Sequence, residues 1–228
     1  MTESFDTGFI ISHLDKLFSG LLITFRIMLT ALITGWMFGL LGAIGKIYGS
    51  FKIKKALDIL TDIIRGIPTI VMIFLVYFGG LSLRKSLFGI SPAGANKELF
   101  AMTALAIEIS AQASEMFKSA YWSIDRGQID AAKSLGLGAP KTFRYILIPQ
   151  GLRVIIPNMG NSILMAMQGT SLLFTLGIMD LMGRAYQIDI GVSFSKSFEM
   201  YVACALIYWL VAIVVDALFH RLGRLFKW

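Results

Sequence analysis

The chain is 228 residues long, 56% hydrophobic and only 15% charged, with a mean hydropathy of +0.73. That balance excludes an ordinary soluble domain and makes lipid the solvent for much of its surface. The net charge of +7 does not signal nucleic acid, because Lys and Arg gather in short segments between apolar runs, where loop charge sets membrane orientation. The single cysteine, Cys204, lies inside an apolar run, which excludes a disulfide framework and a Cys-based zinc site.

No polar stretch is long enough to form a second domain, so one domain is expected. Residues 1–16 carry Glu3, Asp6 and Asp15 without a basic leader, and read as an extracytoplasmic segment rather than a cleavable signal peptide. Five apolar runs follow, at 17–44, 57–81, 99–120, 154–181 and 200–219. Each is long enough, or nearly so, to cross a hydrocarbon core that needs roughly 20 helical residues. The runs are continuous rather than alternating, which predicts helices and not barrel strands. The fold class expected is therefore an all-α membrane protein with five transmembrane helices over 17–219 and a tail at 220–228.

Basic residues fix the expected orientation. The connection after the first run holds Lys46, Lys52, Lys54 and Lys55, with Arg65 close by. The one after the third holds Lys118, Arg126, Lys133, Lys141, Arg144 and Arg153, and the tail holds Arg221, Arg224 and Lys227. The other side has Lys16, Arg84, Lys85, Lys97, Arg184 and Lys196. The positive-inside rule then puts the N-terminus outside and the C-terminus in the cytoplasm.

The longest cytoplasmic connection, about 121–149, is no simple linker. Residues 129–136 are rich in helix formers, Gly138-Ala139-Pro140 is a break, and 141–148 reads as a second short helix. Small Ala131 and Ala132 would let the first helix sit closely in a partner's groove, and Gly136 would permit a sharp exit from it.

This connection reads Asp130-Ala131-Ala132-Lys133-Ser134-Leu135-Gly136, then nine residues, then Ile146-Leu147-Ile148-Pro149. It resembles the signature loop of the permease subunits of ATP-binding-cassette (ABC) importers, E-A-A-x3-G-x9-I-x-L-P, with Asp130 for Glu and Ile148 for Leu. Arg65-Gly66-Ile67-Pro68, Phe74-Leu75-Val76-Tyr77-Phe78-Gly79, Ser123-Ile124-Asp125-Arg126-Gly127-Gln128 and Thr170-Ser171-Leu172 resemble the polar amino-acid branch of that family. The chain differs from the branch at Glu108-Ile109-Ser110-Ala111-Gln112 and at Gln168-Gly169.

The resemblance implies a bacterial inner-membrane transport subunit of type I importer fold that works by alternating access. It implies a second permease copy, identical or related, two ATP-binding subunits and an extracytoplasmic amino-acid-binding protein. It implies no cofactor on this chain, with ATP and Mg on the partner ATPases. It assigns ATPase coupling to Asp130, Ala131, Ala132, Gly136, Ile146 and Pro149. The stretch from Thr170 to Ala185 looks like permeases for polar amino acids, cystine among them.

Glu108, Gln112 and Glu115 share one helical face, with the two carboxylates about 10 Å apart along the axis. An ionised group at mid-membrane costs roughly 2.5–3.5 kcal/mol, so that face is expected to line a pathway or meet a partner. Glu108 has two readings, a contact for a substrate ammonium group and a protonated structural carboxyl. Glu115 is read as a helix-to-helix or gating pair. Asn158, Asn161, Met165 and Gln168 recur at helical spacing, and Gly169-Thr170-Ser171 would interrupt the fourth run near mid-membrane. Exposed backbone dipoles there could hold a carboxylate, while small and hydroxyl residues also serve helix packing. Arg26 is expected to snorkel, Asp216 to pair with Arg221 or reach the interface, and His13 and His220 to be surface residues. The methionines, Met159, Met165 and Met167 among them, are read as core packing.

No phosphate loop G-x4-G-K-[S/T] occurs: Gly45-Lys46 is followed by Ile47, and Leu40 stands where the first glycine is needed. Nucleotide must then act on another chain. The alternative is an ion-coupled secondary transporter or channel using Glu108 and Glu115. An intramembrane enzyme would need a nucleophile–base pair or metal cluster that the sequence lacks.

Overall fold

A computed structural model describes residues 5–91, 94–192 and 194–225, and every regular element among them is helical. Glu3 and Lys227, with the extremities of the terminal segments, lie outside the described residues. A short α1 (Thr7–Ile11) precedes α2 (Leu14–Tyr48). The Asp6 carboxylate caps α1 by accepting the Phe9 N–H at 3.0 Å.

The second apolar run does not form one span. It breaks into α3 (Phe51–Gly66) and α4 (Thr69–Phe88). The residue before a proline is driven out of the helical region, and Ile67 accordingly sits at φ −90°, ψ 126°. Helix α4 starts afresh on the Pro68 carbonyl, which accepts the N–H groups of Val71 and Met72 at 2.9 and 3.0 Å. Helix α3 buries only Thr61.

Helix α5 (Lys97–Trp122) is capped by Asn96, which accepts the Leu99 N–H at 3.2 Å. Helix α6 (Arg126–Ser134) follows, capped by Asp125. It ends where Leu137 N–H reaches the Ala132 carbonyl at 3.0 Å and Gly136 N–H reaches Lys133 at 2.9 Å. That paired closure requires a left-handed residue between them, and Gly136 supplies it at φ +75°. Within α6, Ala131 is exposed but Ala132 is turned into the protein, at 2% exposure.

The second short helix expected over 141–148 is not a separate element. Helix α7 (Ala139–Thr142) runs through a π turn, Phe143–Leu147, straight into α8 (Ile148–Thr170). Pro149 lacks an N–H and would crowd the carbonyl four residues back in a regular helix. The wide turn ends with Ile148 N–H bonded to the Phe143 carbonyl, which spaces the chain before the proline.

The interruption expected at Gly169-Thr170-Ser171 is present, and α8 stops at Thr170. A 3-10 turn, Leu173–Leu176, a left-handed Gly177 at φ +74° and then α9 (Leu181–Gly191) follow. Helix α10 (Ser197–Leu225) completes the chain.

Among the described residues, α2, α4 and α10 are long and apolar enough to cross a membrane, and α8 with its flanking turns plus α9, bent by 41°, makes a fourth if counted together. Helix α5 has 26 residues but is not among them, because Glu108, Gln112 and Glu115 interrupt its apolar character. The outward faces of α2 and α10 carry Leu22, Ile33, Leu41, Trp209 and Val214, each more than half exposed, a surface suited to lipid rather than water.

Helices α2 and α5 form the most extensive pair. Their backbones meet at a Gly35-x3-Gly39 stripe: a Cβ on Gly35 would stand 2.6 Å from Ile109 Cγ2, and one on Gly39 2.5 Å from Ala113 Cβ. Small residues let helices approach closely enough for dispersion to hold them where lipid removes the hydrophobic incentive. Ile27, Leu32, Ile73, Leu105 and Leu173 fill the core beside this seam. A second cluster, with Leu17, Leu181, Met200 and Cys204, fixes α9 and α10 to the start of α2. There Leu181 N–H bonds buried Thr24 at 3.1 Å and the buried Asp180 caps α9 through Gly183 N–H at 2.9 Å.

Gly39→Leu is expected to force the seam apart and cost about 1–3 kcal/mol, read as a lowered apparent Tm in detergent. Gly66→Ala, where no atom lies within 4 Å of the added Cβ, serves as the neutral control.

Candidate functional site

Because α5 gives its Ile109 and Ala113 side to α2, the face bearing Glu108, Gln112 and Glu115 turns toward α3, α4 and α8. A cleft of ≈ 180 Å³ opens between α4, α5 and α8, lined by Thr69, Glu108, Gln112, Met165, Gln168 and Gly169. It continues into a wider groove of ≈ 530 Å³ that shares Glu108, Gln112 and Met165 and adds Arg65, Glu115 and Asn158. Glu108 accepts a hydrogen bond from the Thr69 hydroxyl at 2.8 Å. Thr69 is the first residue of α4, so the positive end of that helix lies beside the carboxylate.

The expected pathway residues are thus only partly brought together. Glu108, Gln112 and Gln168 meet in the cleft, with Glu115 in its extension. Thr170 is fully buried and donates to the Met167 carbonyl at 2.7 Å, Ser171 donates to the Gln168 carbonyl at 2.6 Å, and Asn161 is exposed on α8. The hydroxyls of Thr170 and Ser171 thus close the end of their own helix. Met167 is core, as expected, whereas Met165 lines the cleft and is 49% exposed. Thr69 and Arg65 enter the site from a segment that periodicity did not single out.

At the α6 end of the bundle Glu115 is a helix-to-helix pair. Lys46, near the end of α2, has a side chain only 1% exposed; its ammonium donates to Glu115 Oε1 at 2.5 Å and to the Thr61 hydroxyl at 2.6 Å. Asp58 stands 3.5 Å from Lys46 and 3.0 Å from Lys118, which also lies 3.5 Å from Glu115. Two cations and two carboxylates therefore tie α2, α3 and α5. Burying an ammonium costs several kcal/mol unless it is paired and hydrogen-bonded, and Lys46 meets both conditions. Elsewhere Arg26 pairs with Glu98 across 72 residues instead of only reaching for water, and Asp216 pairs with His220 Nδ1 at 3.3 Å rather than with Arg221.

Lys46→Met is expected to lower stability by about 1–3 kcal/mol; the figure is kept small because Glu115 is a third open to solvent and Lys118 remains beside it. Lys46→Met combined with Glu115→Leu should recover part of that loss, giving a non-additive cycle in thermal unfolding.

Residues 31–228 match the family described as binding-protein-dependent transport system inner membrane component. The chain is 32% identical over 220 residues to the L-cystine transport system permease protein TcyL of Bacillus subtilis, covering 96% of this chain and 91% of that one. It is also 32% identical over 206 residues to the nopaline transport system permease protein NocQ of Agrobacterium fabrum, covering 88% and 86%. Its fold matches a chain in the crystal structure of an amino acid ABC transporter with histidines at a TM-score of 0.83 and 28% identity, covering 98% of this chain and 99% of that one. An inward-facing structure of the MetNI methionine ABC transporter matches at a TM-score of 0.74 and 16% identity over 95% and 99% of the two chains, a likeness of fold alone. An all-helical bundle with lipid-suited faces, a polar cleft along α5 and these matches have one common reading: the chain belongs to the family of inner membrane components of binding-protein-dependent transport systems.

Proposed function

We propose that this chain is the membrane-spanning permease of an ATP-driven importer that carries an amino acid into a bacterial cell by alternating access. The observation that carries the reading is the end-to-end likeness to a chain of an amino acid ABC transporter, at a TM-score of 0.83. The relatives are named for cystine, nopaline, octopine and basic amino acids, so a polar amino acid is the substrate class and cystine a candidate within it. The ion-coupled alternative has no support from these matches.

The cleft suits such a substrate. Glu108 offers a carboxylate to an ammonium group, Arg65 offers a guanidinium to a carboxylate, and Gln112 and Gln168 supply neutral hydrogen-bonding groups between apolar walls. In this reading helices α2, α4, α5, α8 with α9, and α10 serve as five spans, and the basic residues near α6 and in the C-terminal segment support a cytoplasmic location for both. Residues 121–149 form the coupling loop, with Asp130, Ala131 and Gly136 on the element that an ATPase grips and Ile146 and Pro149 where it joins α8. Leu135, 80% exposed at the tip of α6, gives that grip an apolar contact, while Ala132 braces the helix from within. Two permease copies, two ATPases carrying ATP and Mg, and an external binding protein complete the machine.

Glu108→Gln in the assembled importer is expected to weaken substrate by about 1.5–3 kcal/mol, on the order of 10- to 100-fold in uptake KM. Unchanged affinity and preference would remove Glu108 from the binding site. Cysteine crosslinkers at Ala131 and Leu135 should capture a nucleotide-hydrolysing subunit. Capture of none while uptake continues would sink the coupling assignment.

A further inference from the structure

A separate apolar groove of ≈ 390 Å³ runs between the last two turns of α2, the end of α5 and the π turn that leads into α8. Its floor is made of small or buried side chains, Ala43, Ala120 and Ile124. Its walls are Ile44, Phe143 and Leu147, and Ile44 and Phe143 are themselves exposed, so the groove opens onto the apolar outer surface of α2. From Leu40 to Tyr48 it is about 12 Å long at 1.5 Å per residue. The groove is lined by apolar side chains along its length and lies open on the side that faces lipid, where an acyl chain can enter it directly from the bilayer.

The rim has a different chemistry. Tyr48 and Tyr121 stand edge to face at 5.8 Å, and Tyr121 meets Trp122 in the same manner at 5.4 Å. Tyr and Trp at the end of an apolar helix mark the headgroup level of a bilayer. Over these rings lies the Arg126 guanidinium, 4.2 Å from the Trp122 centroid and 5.5 Å from that of Tyr121. Among the described residues no carboxylate forms an ion pair with Arg126; its neighbour Asp125 is engaged with the Gly127 N–H at 2.6 Å. A cation held at the aromatic level above an apolar groove is complementary to a lipid with a negative headgroup.

We propose that this groove is a binding site for an anionic phospholipid, with an acyl chain between α2, α5 and α8 and the phosphate on Arg126. The site joins the bilayer to the first residue of α6 and to the π turn, so lipid charge bears on the segment assigned above to coupling. Assignment to the cytoplasmic leaflet rests on that orientation, while the binding itself needs only that the end of α5 reach a bilayer surface.

The test uses the full chain assembled with its transport partners in nanodiscs of phosphatidylcholine with or without phosphatidylglycerol. Native mass spectrometry counts retained lipid and thermal unfolding reads stabilisation. Phosphatidylglycerol should be retained in preference and should raise the apparent Tm. Arg126→Gln should cut the preference for phosphatidylglycerol over phosphatidylcholine by about fivefold, whereas Lys85→Gln, a charge removed from the opposite end of α4, should not. Gly151→Leu should fill the groove and reduce retention of both lipids, since a Cβ there meets only the Ala120 methyl at 4.0 Å. Unaltered preference in Arg126→Gln together with unaltered retention in Gly151→Leu overturns the proposal. If Gly151→Leu fails to fold, a photoreactive residue at Phe143 decides: capture of phosphatidylglycerol supports the site, and capture of a second permease copy or an ATPase overturns it. Labelling of a cysteine at Gln128 by an impermeant maleimide from outside the cell would overturn the orientation alone, leaving lipid retention to stand or fall separately.

Discussion

The close approach of α2 and α5 sets the rotation of α5 about its own axis, and the rest of the site follows from that angle. With Ile109 and Ala113 pressed against Gly35 and Gly39, the side chains on the other face have no freedom to turn toward lipid. Glu108, Gln112 and Glu115 are therefore presented to α3, α4 and α8, where a carboxylate can find a hydroxyl, an ammonium or an open polar groove. Polar groups at membrane depth are tolerated only under that condition. A bundle of plain apolar helices would have no cleft, and a polar α5 without its glycine seam would have no fixed direction in which to offer one.

The ionic cluster around Lys46 works at one end of the same helix. It joins α2 to α5 where the glycine stripe has ended, and adds α3 through Asp58 and Thr61. Helix α3 buries little apolar surface of its own, so these polar ties carry an unusual share of its attachment. The cleft residue Thr69 lies just beyond the Ile67-Pro68 break that separates α3 from α4, so the cluster also fixes the segment that leads into the cleft.

Much of this was readable in the residues before any coordinates. Apolar run lengths gave the helical bundle, the spacing of Glu108, Gln112 and Glu115 gave a shared face, and Gly169-Thr170-Ser171 gave the end of α8. What escaped was pairing between distant segments. Lys46 counted as one loop lysine among several, and nothing local marks it as the buried partner of a glutamate 69 residues away. The Gly35-x3-Gly39 stripe was legible in principle as a small-residue seam, but only the fold says which helix it meets. The Ile67-Pro68 break was also on the page, masked by an apolar run long enough to pass for a single span. Thr170 and Ser171 misled because a hydroxyl in an apolar run looks available for a ligand, when its nearest acceptor is usually a carbonyl of its own helix.

The π turn ahead of Pro149 has a geometric consequence for the whole of α8. A wide turn accommodates one residue more than a regular helix would over the same rise, and one residue corresponds to about 100° of azimuth. Every side chain from Ile148 to Thr170 is thereby phased by roughly that angle relative to α7. Tighten the turn to regular α geometry with no residue removed and Gln168 would swing off the cleft wall, whereas deleting one residue along with the bulge would leave α8 in phase. The hinge-like bulge thus acts as an indexing ring, setting which stripe of a 23-residue helix the interior sees.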